Sequence, residues 1–482
     1  MYLPAQIDHV AGTRKAPAHV RDQWLHDPST GQRLVPQRES DPQAIEQAIA
    51  TADAIHRSGL WSRLTPQERA AYLENVAKAL DRTDGGLAVA ESLGSGVVIS
   101  VTRLFAGSLA GSFRAAIDQL LSGWTYTELA GPVRPVQLRR RPWGPAVVLV
   151  PWNAPTAIAA GKIANALAAG CPVILKPPEW APLSCNVLAD AIDSAGLPTG
   201  LFQMLHGGPS VGAALTNDSR IRVVSFTGGL ATGRAIAQAA AEDFKAVQLE
   251  LGGNNPAIVL ADADIDATAD ALATGMTKLN GQWCEAPGKV LVTLSRFDDL
   301  VDALTARLAK VRTGAALDES AEMGPLSHET HRDRLDSQLA GLTHDCGEIR
   351  IIGEAPDLGG WFWMPRLVLG VAPTRCVDEL FGPVLTIHPV NDAVEAVNLA
   401  NDTPYGLAGY VFGADLDTAM AVGCEMNFGE VKINGTSVLD LAPQSTQSFW
   451  GLSGIGCHGA KEVFRFFCGS QIVGVDHPSP PL

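Results

Sequence analysis

Residues 145–179, PAVVLVPWNAPTAIAAGKIANALAAGCPVILKPPE, decide the fold class of this 482-residue chain. An apolar run at 145–150 ends in a turn, an Ala-rich helical stretch at 154–170 is closed by Gly170, and a second apolar run follows at 172–176. Apolar runs without alternating polar residues are typical of strands buried on both faces of a parallel sheet. We therefore expect an α/β fold in which parallel strands alternate with helices.

The alternation continues downstream. Further strands are predicted at 201–207 and 222–229, and the second leads into a helix that begins near Leu230. A second series of strands and helices runs from 257 to 426, after a Gly-Gly pair within 251–256. The chain therefore predicts two doubly wound parallel-sheet domains joined at that pair.

Upstream, helical spacing of apolar residues predicts a helix over 41–60, and a capping-box sequence at Thr65 predicts another that continues through 70–122. Segments 123–143 and 463–475 are predicted to be extended or hairpin-like, and neither has an obvious place in the two sheets.

The composition excludes several classes of protein. Hydrophobic residues make up 46% and charged residues 18%, which is typical of a large globular core. A net charge of −15 argues against binding to nucleic acid. The chain has no run of 18 apolar residues and no signal peptide at its N-terminus, so we expect no membrane association. Its eight cysteines lack metal-type spacing, which favours reduced thiols in the cytoplasm and no metal site.

One motif is misleading. Residues 454–459, Gly-Ile-Gly-Cys-His-Gly, match the G-x-G-x-x-G dinucleotide pattern. They lack a preceding strand-to-helix turn and lie too near the end of the chain for a complete βαβ unit, so we expect no phosphate contact there. His328 and His331 are interpreted as solvated residues.

The chemistry-bearing candidates follow predicted strands or turns. Asn153 ends the first strand, Glu250 stands at the domain junction, Cys284 follows a Gly-containing turn and Glu379 lies in a later loop. Singly, each has an ordinary explanation, since Cys is often a small core residue, Asn often caps helices and Glu is usually solvated.

Their order along the chain changes that judgement. PWN at 151–153, KPPE at 176–179, FTGG at 226–229 with Gly233, ELGG at 250–253, GQ-x-C at 281–284 and E-x-FGPV at 379–384 follow one another. This series resembles the NAD(P)-dependent aldehyde dehydrogenase superfamily over nearly the whole chain. The resemblance implies an aldehyde dehydrogenase-like fold and oxidation of an aldehyde to a carboxylic acid through a cysteine thiohemiacetal and thioester.

The resemblance also implies four catalytic roles. Cys284 would be the nucleophile, and Asn153 with the backbone N–H of Cys284 would stabilise the oxyanion. Glu250 would activate water for hydrolysis of the thioester, and Lys162 would help to relay protons. Relatives that release acyl-CoA usually lack this glutamate, so its presence favours hydrolysis.

A cofactor site is implied in the same way. A carboxylate at Glu179 suits the free ribose 2′-hydroxyl of NAD better than the 2′-phosphate of NADP, although NADP use stays possible. The residues implied to bind the cofactor are Trp152, Lys176, Glu179, Phe226, Thr227, Gly228, Gly229, Leu251, Glu379 and Phe381.

The substrate side departs from the family pattern. Small residues along the helix after PWN would widen the aldehyde tunnel, Glu285 would disfavour an acidic aldehyde, and the loop 436–456 is altered in length. We expect a bulky, uncharged or hydroxylated aldehyde. The residues expected to line the pocket are Ala154, Ala157, Gly161, Trp283, Glu285 and Phe449.

The resemblance finally implies an organisation. An NAD-binding domain would comprise 1–122 and 144–251, and a catalytic domain 252–447. Segments 123–143 and 463–478 would form a β oligomerisation arm of a homodimer or homotetramer. Two alternatives stay open, namely a CoA-acylating relative and a non-catalytic member of the family.

Overall fold

The structure, a computed structural model, describes residues 3–83, 85–131, 133–344, 346–439, 441–442 and 444–476. Its α-helices are α1 (Pro42–Ser58), α2 (Pro66–Leu80), α3 (Gly86–Ser95), α4 (Ile99–Leu121), α5 (Pro155–Ala169), α6 (Leu183–Ser194), α7 (Pro209–Asn217), α8 (Leu230–Glu242), α9 (Ile265–Thr277), α10 (Phe297–Leu308), α11 (Glu329–Thr343), α12 (Ala393–Asn401), α13 (Leu416–Cys424) and α14 (Ala460–Phe466).

The strands before the domain junction are β1 (Asp8–Val10), β2 (Thr13–Lys15), β3 (His19–His26), β4 (Arg33–Glu39), β5 (Tyr126–Leu129), β6 (Val136–Pro142), β7 (Ala146–Leu149), β8 (Val173–Lys176), β9 (Phe202–Met204), β10 (Val223–Thr227) and β11 (Ala246–Glu250). Those after it are β12 (Asn255–Val259), β13 (Pro287–Thr293), β14 (Glu348–Ile351), β15 (Arg366–Leu369), β16 (Val384–Val390), β17 (Tyr405–Gly406), β18 (Ala408–Phe412), β19 (Glu430–Ile433), β20 (Trp450–Gly451), β21 (Gly454–Ile455) and β22 (Cys468–Val473).

Two large sheets organise the molecule. The first has the strand order β2-β1-β9-β8-β7-β10-β11-β21, and its five central strands are parallel. The second has the order β14-β15-β16-β13-β12-β18-β19, parallel except for the edge strand β14. The prediction of an α/β fold with two parallel sheets is confirmed. The chain passes from the first sheet to the second between Glu250 and Asn255.

Local sequence signals explain many of the helix ends. Asp41 caps α1 by accepting a hydrogen bond from the N–H of Ala44, and the left-handed Gly59 (φ 70°) ends it. Thr65 and Glu68 form the predicted capping box of α2. Helix α5 ends at Gly170 (φ 106°), as its sequence predicts. Helix α5 begins at Pro155, two residues after Asn153.

Two predictions about regular structure are wrong. The stretch 70–122 is not one continuous helical run, because α2, α3 and α4 are separated near residues 81–85 and 96–98, where Gly96 takes φ 77°. The segment 463–475 is not extended throughout, since α14 includes residues up to Phe466 and only Cys468–Val473 forms a strand.

A third, antiparallel sheet has the order β22-β6-β5. The extended hairpin predicted at 123–143 is confirmed by the pairing of β5 with β6. Strand β22 joins the other edge of β6, so the two predicted arm segments lie together. Residue 132 of the first segment and residues 477–478 of the second fall outside the described residues.

Candidate active site

The loop before Cys284 is held in an unusual conformation. Leu279, Asn280 and Gly281 all have positive φ (48°, 60° and 77°). A Cβ on Gly281 would lie 2.1 Å from the backbone N of Pro383, so only glycine fits there. The amide of Asn280 donates to the carbonyls of Gly96 and Pro325, at 2.8 Å each. These contacts stabilise the strained turn and fix the loop that carries Cys284.

Cys284 and Glu250 are in direct contact. Sγ of Cys284 donates a hydrogen bond to Oε1 of Glu250 at 3.3 Å. Burial, followed by the negative charges of Glu250 and Glu285, raises the pKa of the Cys284 thiol well above its ordinary value. Cys284 is therefore a protonated thiol that donates its hydrogen to a carboxylate.

Glu250 ends β11 and gathers several polar partners. Its Oε2 accepts a hydrogen bond from Oγ1 of Thr227 at 3.1 Å, and its Oε1 lies 3.1 Å from Nε2 of His458. Burial raises the pKa of Glu250, but the charge and hydrogen bond of His458, with Lys162 and Cys284, bring it down to about 2. Glu250 is thus an ionised, hydrogen-bonded carboxylate beside the thiol.

Asn153 lies just before α5, and Lys162 lies on α5. The amide of Asn153 donates to the carbonyl of Gln282 at 2.8 Å, which places it against the loop that carries Cys284. The ammonium of Lys162 donates to Oε1 of Gln248 at 2.6 Å, and burial lowers the pKa of Lys162. Lys162 therefore acts on Glu250 through its charge and without a hydrogen bond to it.

A cavity of about 600 Å³ opens at the carboxyl ends of β7, β8 and β10. That volume lies in the range of small-molecule sites, and the switch edge of a parallel sheet is where nucleotides bind. Seven of the ten predicted cofactor residues line it: Trp152, Lys176, Glu179, Phe226, Thr227, Gly228 and Gly229. The ammonium of Lys176 lies 3.3 Å from a carboxylate oxygen of Glu179. The adenosine end of a dinucleotide would fit among these residues.

The other three predicted cofactor residues do not line this cavity. Leu251 packs under α8, where a Cβ on Gly233 would meet its side chain at 2.6 Å. Glu379 accepts a hydrogen bond from the N–H of Gly253 at 3.2 Å, and burial raises the pKa of Glu379 to about 7. Phe381 makes an edge contact with Trp152, with ring centroids 5.5 Å apart.

The solvated placement of His328 and His331 is wrong. Both are buried, and the ring of His328 stacks on Trp180 with centroids 4.4 Å apart. His331 packs against Trp152 and its Nε2 lies 2.7 Å from the carbonyl of Phe381. Burial lowers the pKa of each histidine to about 3, so both rings are neutral packing elements beside the cavity.

The predicted substrate residues divide into two groups. Ala154 and Trp283 share one apolar cluster, while Gly161 is partly exposed and a Cβ built on it would meet no atom within 4 Å. Ala157 is also partly exposed. The space beside Gly161 agrees with a widened tunnel along α5.

Glu285 connects the loop that carries Cys284 to the loop 436–456, in which Phe449 lies. Glu285 accepts a hydrogen bond from the amide of Gln447 at 2.9 Å and lies 3.9 Å from the ammonium of Lys432. This pairing offsets the negative charge that we expected to disfavour acidic aldehydes. Phe449 packs edge-on against His458, with centroids 4.8 Å apart. Residues 440 and 443 of the loop lie outside the described residues.

Sequence reasoning missed His458 altogether. Its only signal was its place within the G-x-G-x-x-G segment, which was interpreted as a false nucleotide motif. Among the described residues no group of three or more His, Cys, Asp or Glu side chains could hold a metal ion. None of the described helices is long and apolar enough to cross a membrane.

Comparison with known proteins gives a consistent picture. Residues 17–473 match the model of the aldehyde dehydrogenase family. The chain is 34% identical over 442 residues to geranial dehydrogenase of Castellaniella defragrans, covering 89% of this chain and 91% of that protein. It is 35% identical over 420 residues to betaine aldehyde dehydrogenase of Brucella anthropi, covering 84% of each.

A solved structure agrees over nearly the full length. Betaine aldehyde dehydrogenase from Staphylococcus aureus, in complex with NAD+, superimposes with a TM-score of 0.92 at 28% sequence identity. The match covers 98% of this chain and 94% of that chain.

Proposed function

The chain belongs to the aldehyde dehydrogenase family, and we propose that it oxidises bulky, uncharged or hydroxylated aldehydes to carboxylic acids by a hydrolytic route. The observation that carries the hydrolytic assignment is the 3.3 Å contact between Sγ of Cys284 and Oε1 of Glu250. A nucleophile and a general base at one point are what a cysteine-linked acyl intermediate requires, and this contact supports that assignment.

The first half of the reaction depends on Cys284 and Asn153. Transfer of the thiol proton to Glu250 leaves a thiolate, which adds to the aldehyde carbon and forms a thiohemiacetal. The amide of Asn153 and the backbone N–H of Cys284 stabilise the oxyanion. The chemistry that NAD supplies when bound is hydride acceptance from that carbon.

The second half depends on Glu250. As the thioester stands on Cys284, the carboxylate is close enough to hold a water molecule against its carbonyl carbon and to accept the proton of that water. Attack breaks the C–S bond, releases the acid and restores the cysteine. A CoA-acylating enzyme does not need a base beside the thioester to activate water. The presence of Glu250 at this position therefore favours the hydrolytic route over the CoA-acylating one.

Glu179 supports NAD as the preferred cofactor. Its carboxylate is partly exposed beside the cavity and accepts the Lys176 ammonium, leaving oxygen lone pairs for the two ribose hydroxyls. A 2′-phosphate would meet the same negative charge. Trp152 and Gly229 line the same cavity, and Glu379 and Phe381 would contact the nicotinamide end.

The substrate class follows from the space along α5. Small side chains at Ala154, Ala157 and Gly161 leave room that larger ones would fill. A relative with 34% identity acts on geranial, an uncharged branched aldehyde, by its name.

Assembly is proposed from the β5-β6-β22 sheet. Tyr126 and Leu129 on β5 and Ile472 on β22 are exposed apolar residues, and an outer strand can extend the sheet of a neighbour. We propose a homodimer or homotetramer built on this arm. The eight free cysteines support a cytoplasmic location.

The test is NADH formation with geranial, phenylacetaldehyde, propanal and succinic semialdehyde, each with and without CoA. CoA-independent turnover that is lost in Cys284→Ala supports the proposal, and Cys457→Ser serves as the matched thiol control. A requirement for CoA would overturn the hydrolytic assignment. A preference for succinic semialdehyde would overturn the substrate class.

A further inference from the structure

The glycine-rich segment 454–459 brings a histidine to the catalytic base. Strand β21 pairs antiparallel with β11, with Gly454 opposite Glu250. A Cβ on Gly454 would lie 1.8 Å from the carbonyl oxygen of Leu249, so only glycine allows the two backbones to approach this closely. Four residues later, Nε2 of His458 lies 3.1 Å from Oε1 of Glu250. Gly454 therefore allows the close approach of β21 to β11.

The imidazole of His458 is held in place but is open to water. Its backbone N–H donates to the carbonyl of Gln447 at 2.8 Å, and its ring packs edge-on against Phe449. The side chain is 32% exposed, whereas that of Glu250 is only 4% exposed. A path from the buried carboxylate to solvent thus runs through this ring.

We propose that His458 is the proton-relay residue of Glu250, taking protons that Glu250 collects and releasing them to solvent. This inference rests on the proposed hydrolytic function, since it assigns the proton exit of that same site.

The other charged groups around the site do not offer this path. Lys162 acts on Glu250 through its charge, but its ammonium donates to Gln248 and is buried. Glu285 is the second carboxylate whose charge interacts with His458. It is already hydrogen-bonded to Gln447 and paired with Lys432. His458 alone among these groups both touches Glu250 and reaches the surface.

The relay accompanies hydrolysis of the thioester, in which no group is oxidised or reduced. Water attacks the thioester carbon, a C–O bond forms and one proton of the water moves to Oε1 of Glu250. The C–S bond breaks, so the acid leaves and sulfur retains the electron pair as thiolate. The step requires the form of His458 that carries its proton on Nδ1 alone: Glu250 then passes its proton to Nε2, and Nδ1 releases its proton to solvent. The proton of the resting Cys284 thiol can leave by the same path.

The test uses p-nitrophenyl acetate, which acetylates Cys284 without an aldehyde or NAD and releases p-nitrophenolate in a burst. Hydrolysis of the acetyl-enzyme is then followed by mass spectrometry in wild type, His458→Ala, His458→Gln and the neighbouring control Cys457→Ser. We expect about 10- to 100-fold slower deacetylation in both histidine variants, a part of the ~10²- to 10⁴-fold that acid–base groups supply. Cys457→Ser should deacetylate at the wild-type rate.

Two readouts distinguish a relay from a structural contact. Added imidazole should restore deacetylation in His458→Ala, and His458→Gln should deacetylate slowly although glutamine can still hydrogen-bond Glu250. A wild-type rate in His458→Gln, or no rescue of a folded His458→Ala, would overturn the relay. The ester assay involves no aldehyde oxidation, so it tests the relay separately from the proposed function. If deacetylation depends on His458 but the enzyme oxidises none of the aldehydes tested, the proposed function fails and the relay stands.

Discussion

The Sγ atom of Cys284 lies 3.3 Å from Oε1 of Glu250, and that same oxygen lies 3.1 Å from Nε2 of His458. The thiol and the imidazole therefore converge on one carboxylate oxygen. The carboxylate has two opposed effects: its charge disfavours the thiolate, yet its position lets it remove the thiol proton.

Replacement of Glu250 should separate these two effects. In Glu250→Gln the negative charge that raises the pKa of Cys284 is gone, so a larger thiolate fraction and faster alkylation of Cys284 by iodoacetamide are expected near neutral pH. Aldehyde turnover should fall by ~10²- to 10⁴-fold, because the base is lost. Peptide mapping measures alkylation, with the exposed Cys346 as internal control. Slower alkylation of Cys284 would instead show that Glu250 creates the thiolate.

Asn153 offers a test of the oxyanion site. Its amide lies against the carbonyl of Gln282, two residues before the nucleophile. In Asn153→Ala we expect kcat/KM to fall by about 10²- to 10³-fold, the usual cost of one lost oxyanion donor. The rate of Cys284 alkylation should change little, since the amide does not contact the thiol. Equal losses in turnover and alkylation would show that Asn153 mainly supports the loop.

Cofactor affinity should depend on pH through Glu379. Burial raises the pKa of Glu379 to about 7, so the carboxylate becomes protonated as the pH falls through that value. An ionised carboxylate accepts hydrogen bonds from ribose hydroxyls more strongly than a protonated one does. NAD should therefore bind more weakly, with a higher Kd, below about pH 7. Calorimetric titration across that pH should show this in wild type and in the control Asp378→Asn. Glu379→Gln should bind NAD weakly at every pH, and an unchanged pH dependence in it would exclude Glu379.

Much of this architecture is local in origin and could be predicted from the sequence. The apolar runs that became β7 and β8 are buried on both faces, and the capping residues at Asp41 and Thr65 form the hydrogen bonds expected of them. The order of six short motifs was enough to identify the family and to name seven of the residues that line the cavity at the carboxyl ends of β7, β8 and β10.

The missed features arise from contacts between distant parts of the chain. His458 reaches Glu250 only because β21 pairs with β11, more than 200 residues earlier, and no local pattern encodes that pairing. His328 is polar in sequence but buried in the fold, because Trp180 stacks on it. Helix α3 ends at Gly96, which takes a left-handed conformation. The residues on both sides of Gly96 have a helical composition, so composition alone does not reveal this break.

The buried carboxyl of Glu91 should set part of the pH dependence of stability. Burial raises the pKa of Glu91 from 4.5 to about 7, and its Oε2 is hydrogen-bonded to Thr156 in the first turn of α5. Because the folded pKa is the higher one, this group stabilises the fold below about pH 4.5, and that contribution is lost as the pH rises through about 7. The shift corresponds to about 3 kcal/mol.

Thermal melting at several pH values measures this effect. Glu91→Gln cannot ionise, so its Tm should fall less than that of wild type between those two pH values. The matched control Glu354→Gln alters an exposed glutamate and should follow wild type. Parallel pH curves for all three proteins would contradict the assignment to Glu91.

The space beside Gly161 tests the substrate class. A Cβ built there meets no atom within 4 Å, so Gly161→Phe should be accommodated by the helix while its ring fills the proposed tunnel. We expect kcat/KM for geranial to fall by about 10- to 200-fold, since pocket misfits of this kind typically cost ~1–3 kcal/mol, while propanal should be oxidised nearly as before. Gly161→Ala is the matched control for the helix backbone and should retain activity on both aldehydes. Equal losses for geranial and propanal in Gly161→Phe would place the tunnel elsewhere.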